Sequence, residues 1–201
     1  MKLKICGMKY PNNILETAQL KPDYLGFIFY EKSPRYFYGG LPTINPSIQK
    51  VGVFVNASLE EILAKIKQYD LQIIQLHGNE SPEFCHLLKH INTTIIKVFA
   101  VDDAFEFSQI YPYESVCDYF LFDTKGKNPG GNGTSFNWQL LQQYPSKKPF
   151  FLSGGIGLED IEKIKQLNLP IHAIDVNSKF ESLPGLKNRQ QLILLQDELQ
   201  S

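Results

Sequence analysis

The hydrophobic positions along the chain form short apolar runs that alternate with amphipathic stretches from one end to the other. Eight of these runs contain β-branched or aromatic residues and have turn-forming residues nearby, which is typical of strands. They cover residues 3–6, 24–29, 51–55, 72–76, 95–99, 119–122, 149–152 and 173–176. The pattern therefore predicts eight strands separated by helical connections.

Between the strands, apolar residues recur with the spacing of a helix. The clearest helix covers 58–69, where Ser58 can cap the first turn and Glu61 follows three residues later. Its apolar stripe consists of Leu59, Ile62, Leu63 and Ile66. A second helix begins at Ser81-Pro82, and a third covers 158–167. Residues 36–47 are rich in Gly and Pro, so the helix of the second unit should be short or absent.

Strict alternation of strands and helices implies an α/β protein with parallel strands and right-handed crossovers. An open doubly wound sheet typically has about six strands. Eight repeats in 201 residues instead predict a small (β/α)8 barrel, the TIM barrel, as a single domain over 1–201. Active sites of such barrels lie in the loops that follow the strands, so residues just past each strand are the candidates for chemistry.

Composition excludes several classes of partner. The 20 Lys and Arg residues nearly balance 21 Asp and Glu residues, and a net charge of −1 provides no basic field for nucleic acid or a membrane surface. Three cysteines without metal-type spacing suit a reducing compartment better than a disulfide scaffold. The sequence has neither the pattern of a signal peptide nor an apolar run of about 20 residues, so we expect a cytoplasmic protein.

Two clusters of small residues follow the last two strands. Ser153-Gly154-Gly155 comes after the seventh strand, and Asn177-Ser178 follows the eighth, just beyond Asp175. Glycines allow the backbone to approach a ligand closely, and free N–H groups attract anions. Either cluster alone is compatible with a plain turn. Together, in the loops where barrels commonly bind phosphate, they predict a phosphate site.

Cys6 and Asp123 are the candidates for acid–base chemistry. Cys6 lies at the mouth of the predicted barrel, on the same face of its strand as Lys4, and Asp123 ends a strand on the opposite side. A thiolate can accept a proton, and a carboxyl group held among apolar groups can donate one. The simpler alternatives are a buried small hydrophobic residue for Cys6 and a loop-capping carboxylate for Asp123.

The same reasoning identifies three further side chains as candidates for the site. Arg35, after the second strand, can hold a carboxylate with two parallel hydrogen bonds or be a solvated surface residue. His77, after the fourth strand, can orient a substrate or titrate. A buried Lys4 needs a partner or must be neutral, and we expect Asp175 to be its partner. No pair of His and carboxylate residues has metal-ligand spacing, so we expect no metal.

Taken in their order along the chain, the motifs resemble those of the phosphoribosylanthranilate isomerase family of tryptophan biosynthesis. The segments that carry the resemblance are KICG at 4–7, GFIF at 26–29, KSPRY at 32–36, VGVFVN at 51–56, QLHG at 75–78, FDT at 122–124, GGNG at 130–133, FNW at 136–138, SGG at 153–155, DVNS at 175–178 and SLPG at 182–185. Four positions depart from the usual pattern of the family. They are Asn132 for Thr, Asn137 for Asp, Lys179 for Gly and Asn188 for Asp.

The resemblance implies an Amadori rearrangement of N-(5-phosphoribosyl)anthranilate, without a cofactor, in a monomer or homodimer. It implies that Asp123 protonates the ring oxygen and that the Cys6 thiolate removes the proton at C2′. Arg35 would hold the anthranilate carboxylate. The remaining substrate-binding candidates are His77, Gly154, Gly155, Asp175, Asn177 and Ser178. Two alternatives remain open at this point: a metal-dependent pentose-phosphate epimerase and a catalytically silent barrel that binds a phosphorylated ligand.

Overall fold

The computed structural model describes residues 1–91, 93–126 and 136–200. Eight parallel strands form a closed barrel in chain order, with β8 paired to β1. The strands are β1 (Lys2–Ile5), β2 (Tyr24–Ile28), β3 (Gln49–Phe54), β4 (Ile73–Leu76), β5 (Thr94–Val101), β6 (Tyr119–Thr124), β7 (Phe150–Leu152) and β8 (Ile171–Val176). This confirms the predicted (β/α)8 barrel, and each predicted strand end lies within two residues of the observed one.

The helices outside the barrel are less regular than the strands. The α-helices are α1 (Pro11–Ala18), α2 (Leu59–Tyr69), α3 (Pro82–Leu88), α4 (Ile161–Lys165) and α5 (Arg189–Gln200). Residues 29–48, all described, contain no helix between β2 and β3, as their Gly and Pro content predicts. The connections after β5 and β6 contain 3₁₀ helices, Phe107–Tyr113 and Trp138–Gln143. After β8, a two-stranded antiparallel hairpin is formed by β9 (Glu181–Leu183) and β10 (Leu186–Lys187).

Local sequence signals explain where the helices begin. The Ser58 hydroxyl accepts a hydrogen bond from the N–H of Glu61 at 3.1 Å, and Ser81 caps α3 in the same way. Within the predicted stripe of α2, Ile62 is buried but Leu63 is 41% exposed, so that part of the prediction was wrong. Leu63 is rotated by about 100° from Ile62, which places it at the margin of the apolar face.

The predicted helix over 158–167 was also too long. The structure has a 3₁₀ helix over Leu158–Asp160 and then α4, which ends at Lys165. The backbone N–H of Leu167 donates to the carbonyl of Ile164, so the chain tightens into a turn there. Pro170 follows shortly afterwards, and a proline restricts the backbone of the residue that precedes it.

Two hydrophobic clusters lie on the two sides of the barrel wall. The larger packs the strands against the surrounding helices and includes Cys85 and Cys117, which are buried as small apolar residues. The smaller fills the barrel interior and consists of Tyr24, Val51, Ile73, Ile96, Val98, Leu121, Phe151 and Ala173. A barrel filled in this way has no pore, so a ligand must bind at one of its ends.

The end of the barrel where the strands begin is closed by aromatic rings around His172. Its ring lies 4.5 Å from that of Tyr119 and 5.2 Å from that of Phe151, centroid to centroid. Nε2 of His172 is 2.7 Å from the Tyr24 hydroxyl, whose oxygen also accepts a hydrogen bond from Lys2. Burial lowers the pKa of His172, and the charge of Lys2 lowers it further. The histidine is therefore stabilised in its neutral form.

This arrangement predicts that His172 lowers the free energy of unfolding of the protein in acid. Because its pKa is lower when folded, the native state binds fewer protons than the unfolded state, and stability falls as the pH drops through the ordinary histidine value of about 6.5. His172→Phe keeps an aromatic ring and should lose less stability than the wild type between about pH 8 and pH 5.5 in urea unfolding. The exposed His90, replaced by Gln, provides the matched control. An identical pH response of wild type and His172→Phe would contradict this account.

Candidate active site

One cavity lies where the barrel strands end, and it collects the candidate residues from separate strands. Its lining includes eight of the nine site residues predicted from the sequence: Cys6, Arg35, His77, Asp123, Gly155, Asp175, Asn177 and Ser178. The ninth, Gly154, directly precedes Gly155 in the same loop. The closed barrel therefore brings together residues that are up to 172 positions apart in the chain.

Cys6 follows β1 directly, with its thiol in the cavity wall and a buried ion pair beneath it. The side chain of Lys4 is fully buried, and its Nζ lies 2.9 Å from Oδ2 of Asp175 on the neighbouring β8. This confirms the expected partner of Lys4. Burial raises the pKa of the Cys6 thiol, and Asp175 adds to that effect, whereas the ammonium groups of Lys4 and Lys187 oppose it. The thiol therefore depends on neighbouring cations to ionise.

Burial and charge act on the ion pair in different ways. Burial disfavours the Lys4 ammonium, but the charges of Asp175 and Cys6 outweigh it and hold the pKa of Lys4 above its usual value. Burial raises the pKa of Asp175, and Lys4 offsets this only in part. Asp175 lines the cavity, and its buried Oδ1 has no hydrogen-bond partner among the described residues. A buried acceptor without a partner calls for an explanation, and a donor from a bound ligand is one.

Asp123 lies across the cavity from Cys6, on β6. Its Oδ2 is 3.4 Å from Nε2 of His77, and its Oδ1 accepts a hydrogen bond from the N–H of Thr124 at 2.9 Å. Nδ1 of His77 is 3.4 Å from Nε2 of Gln75. The carboxyl group is therefore held between a backbone donor and an imidazole at the rim of the barrel.

The loop that carries His77 is held by a second buried ion pair. The Glu80 carboxylate accepts hydrogen bonds from the N–H groups of Gly78 and Asn56, at 3.0 and 2.8 Å, and lies 3.1 Å from Nζ of Lys97. These contacts join the ends of β3 and β4 to the middle of β5. They therefore position His77 at the rim even though neither charged group faces the cavity.

Arg35 is buried rather than solvated, so the surface alternative was wrong. Its Nε and Nη2 donate to the Glu181 carboxylate at distances of 2.7 to 3.0 Å. The same carboxylate accepts hydrogen bonds from Nζ of Lys187 at 2.7 Å and from the N–H of Gly185 at 3.0 Å. Burial would raise the pKa of Glu181, but Arg35 and Lys187 outweigh this and lower it. The contacts fix one edge of the guanidinium group beside the cavity.

Gly7 makes room for these side chains. It has a φ of +75°, and a Cβ there would lie 2.7 Å from both Cδ of Arg35 and Oδ1 of Asn177. Any other residue would be strained and would push Arg35 and Asn177 away from the end of β1. The glycine after Cys6 is therefore required by the packing of the site.

The two small-residue loops lie side by side at the cavity rim. Gly154 and Gly155 both have positive φ, +97° and +63°, and a Cβ on Gly154 would meet the backbone N of Thr124 at 2.9 Å. Glycine is required at Gly154 for that reason. Ser178 begins a 3₁₀ helix, and Nζ of the next residue, Lys179, lies 2.7 Å from Oε1 of Glu159. The lysine that replaces a common glycine therefore forms an ion pair between the two loops.

Two of the other three departures from the family pattern, Asn137 and Asn188, have local structural roles. The Asn137 side chain accepts a hydrogen bond from the N–H of Gln139, and the Asn188 side chain accepts one from the N–H of Gln191. Both contacts satisfy donors in the first turn of a helix, as an aspartate would. Asn132 and the whole GGNG segment at 130–133 lie outside the described residues.

Sequence reasoning missed three side chains of this region. Gln75 is buried in the cavity wall, and its Oε1 has no hydrogen-bond partner among the described residues. It lies two positions before His77, so strand alternation could have identified it. Glu181 and Lys187 come from the hairpin after β8, for which the barrel pattern contains no signal. Within the described ranges, no group of three or more His, Cys, Asp or Glu could hold a metal ion.

Comparison with known proteins identifies the relatives of this chain. Residues 3–198 match the family described as N-(5′-phosphoribosyl)anthranilate (PRA) isomerase. The N-(5′-phosphoribosyl)anthranilate isomerase of Parabacteroides distasonis is 45% identical over 200 residues, which cover 96% of this chain and 90% of that protein. Both findings favour an isomerase over the metal-dependent epimerase and the silent binder.

Solved structures agree with these matches. The crystal structure of phosphoribosyl anthranilate isomerase from Thermus thermophilus has a TM-score of 0.87 at 27% identity and covers 100% of this chain and 98% of its own. A phosphoribosyl anthranilate isomerase in complex with reduced 1-(o-carboxyphenylamino)-1-deoxyribulose 5-phosphate has a TM-score of 0.83 at 27% identity, with the same coverage. In the part of this chain that the structure describes, no helix has the length and apolar character to cross a membrane.

The buried pair predicts a large effect of Asp175→Asn on stability. The substitution leaves the Lys4 ammonium buried beside a neutral amide, which should lower the free energy of unfolding by about 3–5 kcal/mol in urea unfolding at neutral pH. Asp70→Asn is the matched control, because Asp70 pairs with Lys50 at the surface and its loss should change stability little. Equal effects of the two substitutions would show that burial does not strengthen the Lys4 pair.

Proposed function

The chain belongs to the N-(5′-phosphoribosyl)anthranilate isomerase family and is an aldose–ketose isomerase of tryptophan biosynthesis, and we propose that Cys6 and Asp123 perform its acid–base chemistry. The reaction is the Amadori rearrangement of N-(5-phosphoribosyl)anthranilate to 1-(2-carboxyphenylamino)-1-deoxyribulose 5-phosphate. The observation that supports these roles is that a thiol directly after β1 and a carboxyl group on β6 face one cavity from opposite sides of the barrel.

Asp123 acts first, as a general acid. It donates its proton to the furanose ring oxygen while the bond between that oxygen and C1′ breaks, and the lone pair of the anthranilate nitrogen forms the imine bond to C1′. The contact of Asp123 with His77 fixes the direction of the carboxyl group.

Cys6 acts second, as a general base. Its thiolate takes the proton from C2′, and the electrons of that bond form a C1′–C2′ double bond, which neutralises the imine nitrogen. The resulting enolamine gains a proton at C1′ and loses the proton of its C2′ hydroxyl group to give the ketone. The overall change moves one hydrogen from C2′ to C1′, so the reaction needs no external oxidant or cofactor.

Substrate binding uses the other residues of the cavity. Arg35 binds the anthranilate carboxylate with the N–H groups that do not face Glu181. The loops with Gly154, Gly155, Asn177 and Ser178 bind the phosphate. His77 and the unpaired oxygen of Asp175 orient the sugar hydroxyl groups. Each of these assignments is supported by position in the cavity wall or in the loop beside it.

The cellular location and the partners of the enzyme can be inferred from its cysteines, its net charge and the composition of its site. We infer that it works in the cytoplasm, since its three cysteines are free and buried. It requires neither nucleic acid nor a membrane, because its net charge of −1 offers no basic field. All the proposed site residues come from one chain, so a monomer and a homodimer are both compatible with activity.

The two proposed catalytic groups predict that each substitution lowers kcat strongly without a matching change in KM. Cys6→Ser and Asp123→Asn should each lower kcat by about 10²- to 10⁴-fold with little change in KM, since each removes one proton-transfer group. A fluorescence assay with substrate generated from anthranilate measures both constants. Cys85→Ala is the matched control, because that buried cysteine packs outside the cavity. Near-wild-type kcat in either variant would remove that residue from the mechanism.

The proposed role of Arg35 predicts a loss of affinity that depends on the substrate carboxylate. Arg35→Ala should weaken binding of reduced 1-(o-carboxyphenylamino)-1-deoxyribulose 5-phosphate by about 10- to 100-fold in calorimetry, as expected for a charge-assisted hydrogen bond. The matched ligand made from aniline lacks the carboxylate and should bind both proteins equally. If Arg35→Ala weakens both ligands to the same extent, the residue shapes the site without contacting the carboxylate.

A further inference from the structure

Five charged side chains surround the end of β1 next to Cys6. They are the cations of Lys4, Arg35 and Lys187 and the carboxylates of Asp175 and Glu181. Their side chains are at most 10% exposed, so solvent screens them weakly. The proposed reaction uses Arg35 and Asp175 for binding but leaves Lys4, Lys187 and Glu181 without a direct role.

Lys187 reaches this region from the hairpin after the barrel. Its Nζ lies 2.7 Å from Oε1 of Glu181 and 2.7 Å from Oδ1 of Asn177. The Asn177 side chain lies over Gly7, the residue that follows Cys6. The ammonium group is therefore held beside the end of β1, on the side of the cavity where the thiol lies.

The buried charges do not balance without a further anion. Three cations face two carboxylates, which leaves one positive charge in excess. Asp123 and His77 face Asp175 from the far side of the cavity. A Cys6 thiolate would place a negative charge on the side where the excess cations lie, and a cation fixed there stabilises that thiolate.

We propose that Lys187 is a positioning residue for the reaction, whose ammonium group stabilises the thiolate form of Cys6, and that Glu181 holds this cation in place and limits its effect. The inference rests on the proposed role of Cys6 as the base. Burial lowers the pKa of Lys187 to about 8, and the charges of Glu181 and Cys6 oppose that shift. Lysine and thiolate therefore stabilise each other's charged forms.

The proposal predicts opposite effects of two substitutions on the ionisation of Cys6. Lys187→Met removes a positive charge at nearly constant volume and should raise the pKa of the thiol. Glu181→Gln removes a negative charge and should lower it. Each unit of pKa changes the thiolate fraction below the pKa about tenfold. Lys187→Arg keeps the charge and should leave the thiol pKa close to that of the wild type.

Alkylation of Cys6 by iodoacetamide measures the ionisation of the thiol in the absence of substrate. The rate at the peptide that contains Cys6, followed by mass spectrometry across pH, gives the pKa of the thiol because only the thiolate reacts. At neutral pH, we expect alkylation at least about tenfold slower in Lys187→Met and faster in Glu181→Gln. Near-ultraviolet circular dichroism establishes that each variant is folded.

Two results would overturn the proposal: an unchanged alkylation pKa in folded Lys187→Met, or shifts in the same direction in Lys187→Met and Glu181→Gln. The second result would indicate a general disturbance of the hairpin. The test is independent of the catalytic role of Cys6, because alkylation reports ionisation and not turnover. Full activity of Cys6→Ser would refute the base, whereas an unchanged thiol pKa in Lys187→Met would refute only the role of Lys187.

Discussion

Charged groups buried at the carboxyl ends of β1 and β8 impose the main constraint on this site. A barrel interior filled with apolar side chains solvates ions poorly, so each buried cation is stabilised by a carboxylate, Lys4 by Asp175, and Arg35 and Lys187 by Glu181. These contacts tie together β1, the loop after β2, β8 and the hairpin that follows. The same low polarity that makes the ions costly to bury strengthens their influence on the neighbouring thiol.

The barrel closes because β8 pairs with β1, and this closure gives the chemistry its geometry. Cys6, directly after β1, and Asp123, on β6, face each other across the mouth, so one group can donate a proton while the other accepts one. The two groups need opposite protonation states at the same pH, which requires different surroundings on the two sides of the cavity. Cations lie beside Cys6, whereas Asp123 has an imidazole and one backbone N–H donor.

Much of this arrangement could be predicted from the sequence, because strand alternation and barrel topology determine which side chains share a face. The strands, the pair formed by Lys4 and Asp175, and the gathering of Cys6, Arg35 and Asp123 at one mouth follow from that rule. The ion pairs of Glu181 could not be predicted, since the hairpin that carries it has no place in a repeating pattern. The shortened helix over 158–167 and the exposed Leu63 depend on the packing of whole helices, which local periodicity does not contain.

The central claim is that a thiol and a carboxyl group act on one sugar from opposite sides. A crystal structure of this protein with reduced 1-(o-carboxyphenylamino)-1-deoxyribulose 5-phosphate tests it most directly. We expect Sγ of Cys6 within about 3.5 Å of C2′ and the Asp123 carboxyl group within hydrogen-bond distance of the oxygen derived from the ring, on the opposite side of the sugar chain. A ligand whose sugar contacts only one of the two groups, or both from the same side, would contradict the account.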